Sequence, residues 1–170
     1  ARKLISEAKW LHVDHVGISH LKSENIARGS GPKISFDAGY NVAGFSAAEV
    51  DLFVPTDRQM ALRFPDLDLG AAVERDATGA KNITVATQGS EGSTGYSEDS
   101  GLVQADGFKV DVVSTLGAGD VFHGALLAQV IQGHNLQESL KRANAVAALS
   151  CRGLDGQSMI PNTSELNQFL

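Results

Sequence analysis

The chain is poor in several things, and each shortage narrows what it can be. Cys151 is the only cysteine in 170 residues. No internal disulfide can form, a reducing cytoplasm is the expected location, and a small buried helix residue is the expected role for Cys151. No apolar run is long enough to cross a bilayer, and the opening stretch Ala1, Arg2, Lys3, Leu4, Ile5, Ser6, Glu7 lacks the apolar centre of a secretion signal. Contact with a membrane is therefore not expected. Basic residues are outnumbered 14 to 20, for a formal net charge of -6, which argues against the broad cationic surface that nucleic-acid binding needs. A small neutral or anionic ligand in a locally positive pocket stays open. With 42% hydrophobic residues, the chain holds enough for one well-packed domain and too little for two, so residues 1–170 are expected to form a single α/β domain.

What is present reads as alternation. Short β-prone runs bounded by Gly or Asp lie at residues 10–13, 33–36, 51–54 and 83–86. Helix-forming stretches at 58–64 and 69–75 separate the third from the fourth, as in an α/β sheet. From 93 to 113 the texture turns to short segments spaced by Gly95, Gly101 and Gly107, which predicts antiparallel edge strands, with 94–96 and 108–113 among them. The final third is helical. Residues 121–131 are apolar almost all round apart from His123 and Gln129, the mark of an interior helix. Gly133 ends it, Asn135 with Glu138 predicts a capping box for the next helix, and Asn162 with Glu165 predicts another. Leu140, Ala143, Val146, Ala147 and Leu149 form one apolar stripe on the helix that runs to about Cys151.

Thr115, Leu116, Gly117, Ala118, Gly119 and Asp120 stand where the extended, β-branched run 110–113 gives way to the interior helix. Glycines at such a junction let backbone N–H groups converge on one spot, where the helix dipole also favours negative charge. The dinucleotide fingerprint fails here, because Phe122 stands where its third glycine belongs; the Walker pattern fails because Asp120 and Val121 replace its Lys and Ser or Thr. A carboxylate at the mouth of an anion cradle competes with a bound phosphate unless it has work of its own. Deprotonating an acceptor hydroxyl while the amides stabilise a transferring phosphoryl is such work. The alternative is an Asp that only complements the helix dipole.

Ser114 through Leu127, with Gly117, Ala118, Gly119 and Asp120 at its centre, resembles the C-terminal signature of the ribokinase-like (PfkB) carbohydrate kinases. The resemblance implies a three-layer α/β/α sandwich around a mostly parallel sheet. It makes Asp120 the catalytic base and Gly117, Ala118 and Gly119 the anion hole, in an enzyme that uses ATP and Mg2+ to phosphorylate a small sugar. Thr87, Gly89 and Gly92 look like the family's strand-end turn beside the nucleotide, and Asn144 with residues 145–148 looks like the helix flanking the adenine. A tight turn and ordinary core packing are the plain alternatives for these two. The texture from Gly119 to Ala125 is closest to relatives acting on ketoses. A nucleoside or pyridoxal-type kinase of the same fold and a non-catalytic nucleotide-binding module are the competing readings. Family members are longer, so the N-terminal part and the lid through which relatives pair into homodimers are expected to be absent here.

Some positions depart from the family pattern. Thr56, Asp57, Arg58 and Gln59 stand where relatives have an Asn-x-x-Glu, leaving Asp57 either as a carboxylate acting through water or as a helix N-cap. Ser114 replaces the signature's first Asp, so no potassium site is inferred. Asp37 resembles a strand-ending Asp near the phosphates, with a turn as the alternative. His12, Asp14 and His15 carry metal-competent groups, but on a strand the two imidazoles would face opposite ways, and no metal site is expected. His123 lies one helical step past Asp120, where packing or support of that residue are both open.

Overall fold

A computed structural model describes residues 2–40 and 42–170; Ala1, the first residue of the opening stretch read above, lies outside them. Its helices are α1 (Arg2–Glu7), α2 (His15–Ser23), α3 (Asp57–Arg63), α4 (Leu69–Ala80), α5 (Ala118–Ile131), α6 (Leu136–Ser150) and α7 (Thr163–Phe169). Six strands, β1 (Trp10–Val13), β2 (Lys33–Asp37), β3 (Leu52–Val54), β4 (Ile83–Thr87), β5 (Gly92–Ser97) and β6 (Gly101–Asp106), form one sheet in the order of the chain. Strands β1 to β4 pair in parallel, with Val13 opposite Phe36, Phe36 opposite Phe53, and Phe53 opposite Thr84. The links into β5 and β6 are too short for a crossover, so these two run antiparallel and the sheet is mixed. By their contacts the residues fall into two compact units, one running to Ala86 with Tyr96–Gly101, the other made of Thr87–Gly95 and Leu102–Leu170.

In the first unit β3 is buried throughout, as a parallel strand covered on both faces must be. Phe36, Phe45 and Phe53 stack in its core beside Ile18, Ile34, Met60 and Val73. Its polar groups are largely committed. Asp14 caps α2, accepting from the Val16 and Gly17 amides at 3.0 and 2.8 Å. This overturns the picture of His12 and His15 on one strand: β1 ends at Val13, His15 begins α2, and His12 Nδ1 meets Ser35 Oγ at 3.1 Å. Thr56, not Asp57, caps α3 in a full capping box with Gln59, and Asp57 accepts from the Arg58 amide. Asp37 folds back on the Gly39 amide at 2.9 Å, the geometry of a strand-ending turn.

Helix α4 runs to Ala80, past the expected stop at residue 75, because Asp76 is held inside the fold. Its carboxylate takes Arg63 at 2.6 Å and the Thr84 hydroxyl at 3.4 Å, which removes the helix-breaking competition its side chain would otherwise offer. Arg28 similarly joins Asp51 at 2.9 Å to the carbonyls of Ala48, Ala80 and Lys81.

In the second unit α5 buries Val121, Phe122, Leu126 and Leu127 as the composition predicts, and His123 and Gln129 are buried with them, whereas Asp120 on its first turn and Ile131 at its end are exposed. It packs along α6, with Val121, Ala145, Val146 and Leu166 at the centre and Phe108 against Phe169 at 5.2 Å. The capping box expected for α6 is only half formed. Asn135 accepts from the Glu138 amide, but the Glu138 carboxylate turns to Arg142 Nε at 2.7 Å. The box at Asn162 and Glu165 is complete. Residues 108–113 are not a strand. β-Branched residues favour extended backbone, yet a strand also needs a ladder partner, and the neighbour here is a helix end: Val113 and Ser114 both donate to the Cys151 carbonyl.

Candidate functional site

The loop ahead of α5 is built to leave amides open. Gly117 is the N-cap, at φ 77° and ψ 0°, a left-handed conformation that a side chain would strain, and it offers no side-chain cap. Ser114 Oγ accepts from the Leu116 amide at 3.2 Å, and the Thr115 carbonyl accepts from the Ala118 amide at 3.2 Å, which closes the turn. The amides of Gly117, Gly119 and Asp120 have no acceptor among the described residues. Unspent N–H groups at the head of a 14-residue helix are a ready anion site. His123 Nδ1–H donates to the Gly119 carbonyl at 2.7 Å, so the buried imidazole fixes the peptide that the cradle depends on. Asp120 is exposed on the first turn, and its carboxylate engages no other group among the described residues.

Beside the loop, wholly inside the second unit, lies a cavity of about 260 Å³. Thr87, Gly89, Gly92, Ala118, Gly119 and Asn144 line it, so the structure brings the expected turn, loop and helix together around one space. Gly117 and Asp120 are not part of its wall. The turn is glycine-dependent: Gly92 sits at φ 104°, and a Cβ there would run into the Ala105 carbonyl oxygen. Asn144 is buried and fully engaged. Its Nδ2 donates to the carbonyls of Ala105 at 2.9 Å and Asp106 at 3.2 Å, and its Oδ1 faces Ser93 Oγ at 3.1 Å. It therefore shapes the wall by tying α6 to the end of β6.

Phe108, Val110 and Val112 supply much of the apolar wall, with Phe122, Ala147, Ala148 and Cys151. Their spacing of two is the signal that could have identified them: alternate residues of this run line a cavity rather than a core. A larger cavity, about 370 Å³ near Arg152, Met159 and Phe169, contains none of the loop residues. Among the described residues no group of three His, Cys, Asp or Glu side chains is placed to hold a metal ion, and no helix is long and apolar enough to cross a membrane.

A six-stranded mixed sheet with helices and a glycine loop at the head of a buried helix is the ribokinase-like α/β fold. The E. coli protein described as ribokinase II matches it with TM-scores of 0.85 as apoprotein and 0.81 in complex with ATP and Mg2+. It is 20% and 18% identical in these two forms, and the matches cover 99% of this chain against 61% and 60% of that one. The chain belongs to the pfkB family of carbohydrate kinases, whose sequence profile matches residues 46–163. It is similar to the deoxyribokinase of Salmonella typhi, 31% identical over 130 residues that cover 73% of this chain and 42% of that protein. It is also similar to the ATP-dependent ribose-1-phosphate kinase of Halopiger xanaduensis, 27% identical over 179 residues, 98% of this chain and 57% of that protein. The chain thus spans about half the length of these curated relatives.

Proposed function

We propose that the chain carries the nucleotide-binding and phosphoryl-transfer part of a kinase that phosphorylates a hydroxyl of a sugar or sugar derivative. The observation that carries this reading is one junction: Thr115 in the loop ahead of α5 and Ala118 and Gly119 in its first turn all belong to the wall of the apolar cavity, and the unengaged carboxylate of Asp120 follows directly. A purine suits walls of Phe108, Val110, Val112 and Phe122, while its phosphates run toward the open amides. Asp120 takes the proton of the acceptor hydroxyl as the oxygen attacks the γ-phosphorus. The Gly117 and Gly119 amides then meet the charge on the transferring phosphoryl, Ala118 holds the turn, and ADP leaves. The cavity wall carries no carboxylate, so magnesium would be held by phosphate oxygens and water, a shell this ion accepts. The names of the two relatives direct the acceptor panel first to pentoses and their phosphates, then to ketoses and nucleosides.

A second reading, a nucleotide-binding module without turnover, is favoured by one observation. Thr56 and Gln59, in place of the family's Asn-x-x-Glu, spend their side chains on each other's backbone as a helix cap. Calorimetry with a non-hydrolysable ATP analogue and magnesium, followed by turnover across the acceptor panel, separates the two. Binding with phosphorylation of a sugar supports the kinase; binding with no product on any acceptor supports the module; no binding sinks both.

A further inference from the structure

The glycine loop does not stand on its own helix alone. At its approach, Val113 and Ser114 both donate to the Cys151 carbonyl, at 2.8 and 3.1 Å, at the end of α6. At its tip, Gly117 meets Gly156 backbone to backbone. A Cβ on Gly117 would lie 2.9 Å from Gly156 Cα, and one on Gly156 would lie 3.0 Å from Gly117 Cα and 3.2 Å from the Leu116 carbonyl oxygen. No side chain intervenes, so any displacement of the Gly156 peptide is passed to Gly117 without a flexible group to absorb it. The Gly156 peptide is in turn fixed by Asp155, whose Oδ1 accepts from the Gln157 and Ser158 amides at 2.8 and 2.7 Å and closes a tight turn around it. Neither Asp155 nor Gly156 lines the cavity assigned to the nucleotide.

We infer that the turn from Asp155 to Ser158 is a positioning element for the transfer step: through the Gly156 to Gly117 contact it sets where the cradle amides point, without touching the nucleotide. This deepens the kinase reading and rests on it. A tight backbone contact transmits small shifts, and a misplacement of about 1 Å at a reacting centre costs roughly 10²-fold in rate. Gly156→Ala should therefore lower kcat by roughly 10²-fold with the KM for ATP little changed. Asp155→Ala should move in the same direction, and Asp155→Asn, whose amide oxygen can accept the same two N–H groups, should restore turnover.

Turnover of Gly156→Ala equal to the parent, a rise in KM in step with the loss of kcat, or failure of Asp155→Asn to do better than Asp155→Ala would each overturn the inference. If Gly156→Ala does not fold, the Asp155 pair carries the test. If the parent protein phosphorylates nothing, the kinase reading has failed on its own. The backbone amide resonances of Gly117 and Gly119 then test the contact directly. They should move in Gly156→Ala and Asp155→Ala and stay in place in Asp155→Asn; resonances unmoved in all three overturn it.

Discussion

The two compact units treat their polar groups in opposite ways. In the first, groups with chemical potential are closed on themselves: Asp14 caps α2, Asp37 closes a turn, Thr56 and Gln59 cap α3, and Asp76 holds Arg63. In the second, the loop before α5 and the first turn of that helix leave three amides and a carboxylate without a partner among the described residues, beside a cavity. Satisfied groups hold a fold together; unsatisfied ones mark where a ligand completes the structure.

That contrast can be broken most sharply at Asp120. Replacing it with Asn should cut turnover by roughly 10²–10⁴-fold while thermal unfolding stays where it was. An Asp120→Asn variant with near-normal turnover would place this carboxylate among the structural ones after all. Asn144→Ala sharpens the comparison from the closed side of the second unit. It strips two carbonyls and a hydroxyl of their partner, so stability should fall by about 1–3 kcal/mol and nucleotide affinity should fall with it, read by urea unfolding and calorimetry.

In the first unit Asp76→Ala removes the partner of Arg63 and of the Thr84 hydroxyl. It should cost a similar 1–3 kcal/mol or less, given about a third of the Arg63 side chain in solvent, yet leave nucleotide affinity alone. A loss of affinity there would show that the units do not divide the labour as described.

The smallest effect is a pH dependence. The Gly17 amide above all, with the charge of His15 and the Val16 amide, holds the Asp14 carboxyl below its ordinary 3.8. A carboxyl lowered in the folded state stabilises above its unfolded value, and that stability is lost as pH falls through the folded one. Below pH 3.8, Asp14→Asn, which caps without titrating, should lose stability less steeply than the parent in acid unfolding monitored by circular dichroism.

Much of this was legible in the sequence because it is local. Parallel strands that bury both faces read as apolar runs between turn residues, and β1 to β4 fall where those runs lie. The interior helix announced itself by having no polar face, and the cradle by glycines at its head. Residues 108–113 misled because extended backbone is a local preference while ladder pairing is decided by distant chain. The same holds for Asn144, whose three partners lie 38 to 51 residues away, and for Asp76, which stays helical only because Arg63 and Thr84 receive it. No spacing rule carries such information. The cap at Thr56 is legible too, since Gln59 sits at the reciprocal position of a capping box, three residues on.

The order of the sheet has a consequence for biosynthesis. Each strand from β2 to β6 lies beside the one translated just before it. Across these six strands a nascent chain emerging from the ribosome can therefore add each new strand to the edge formed by the last. Among these six strands, the most remote pairings, those slowest to find one another and most exposed to wrong partners, are the ones this order avoids.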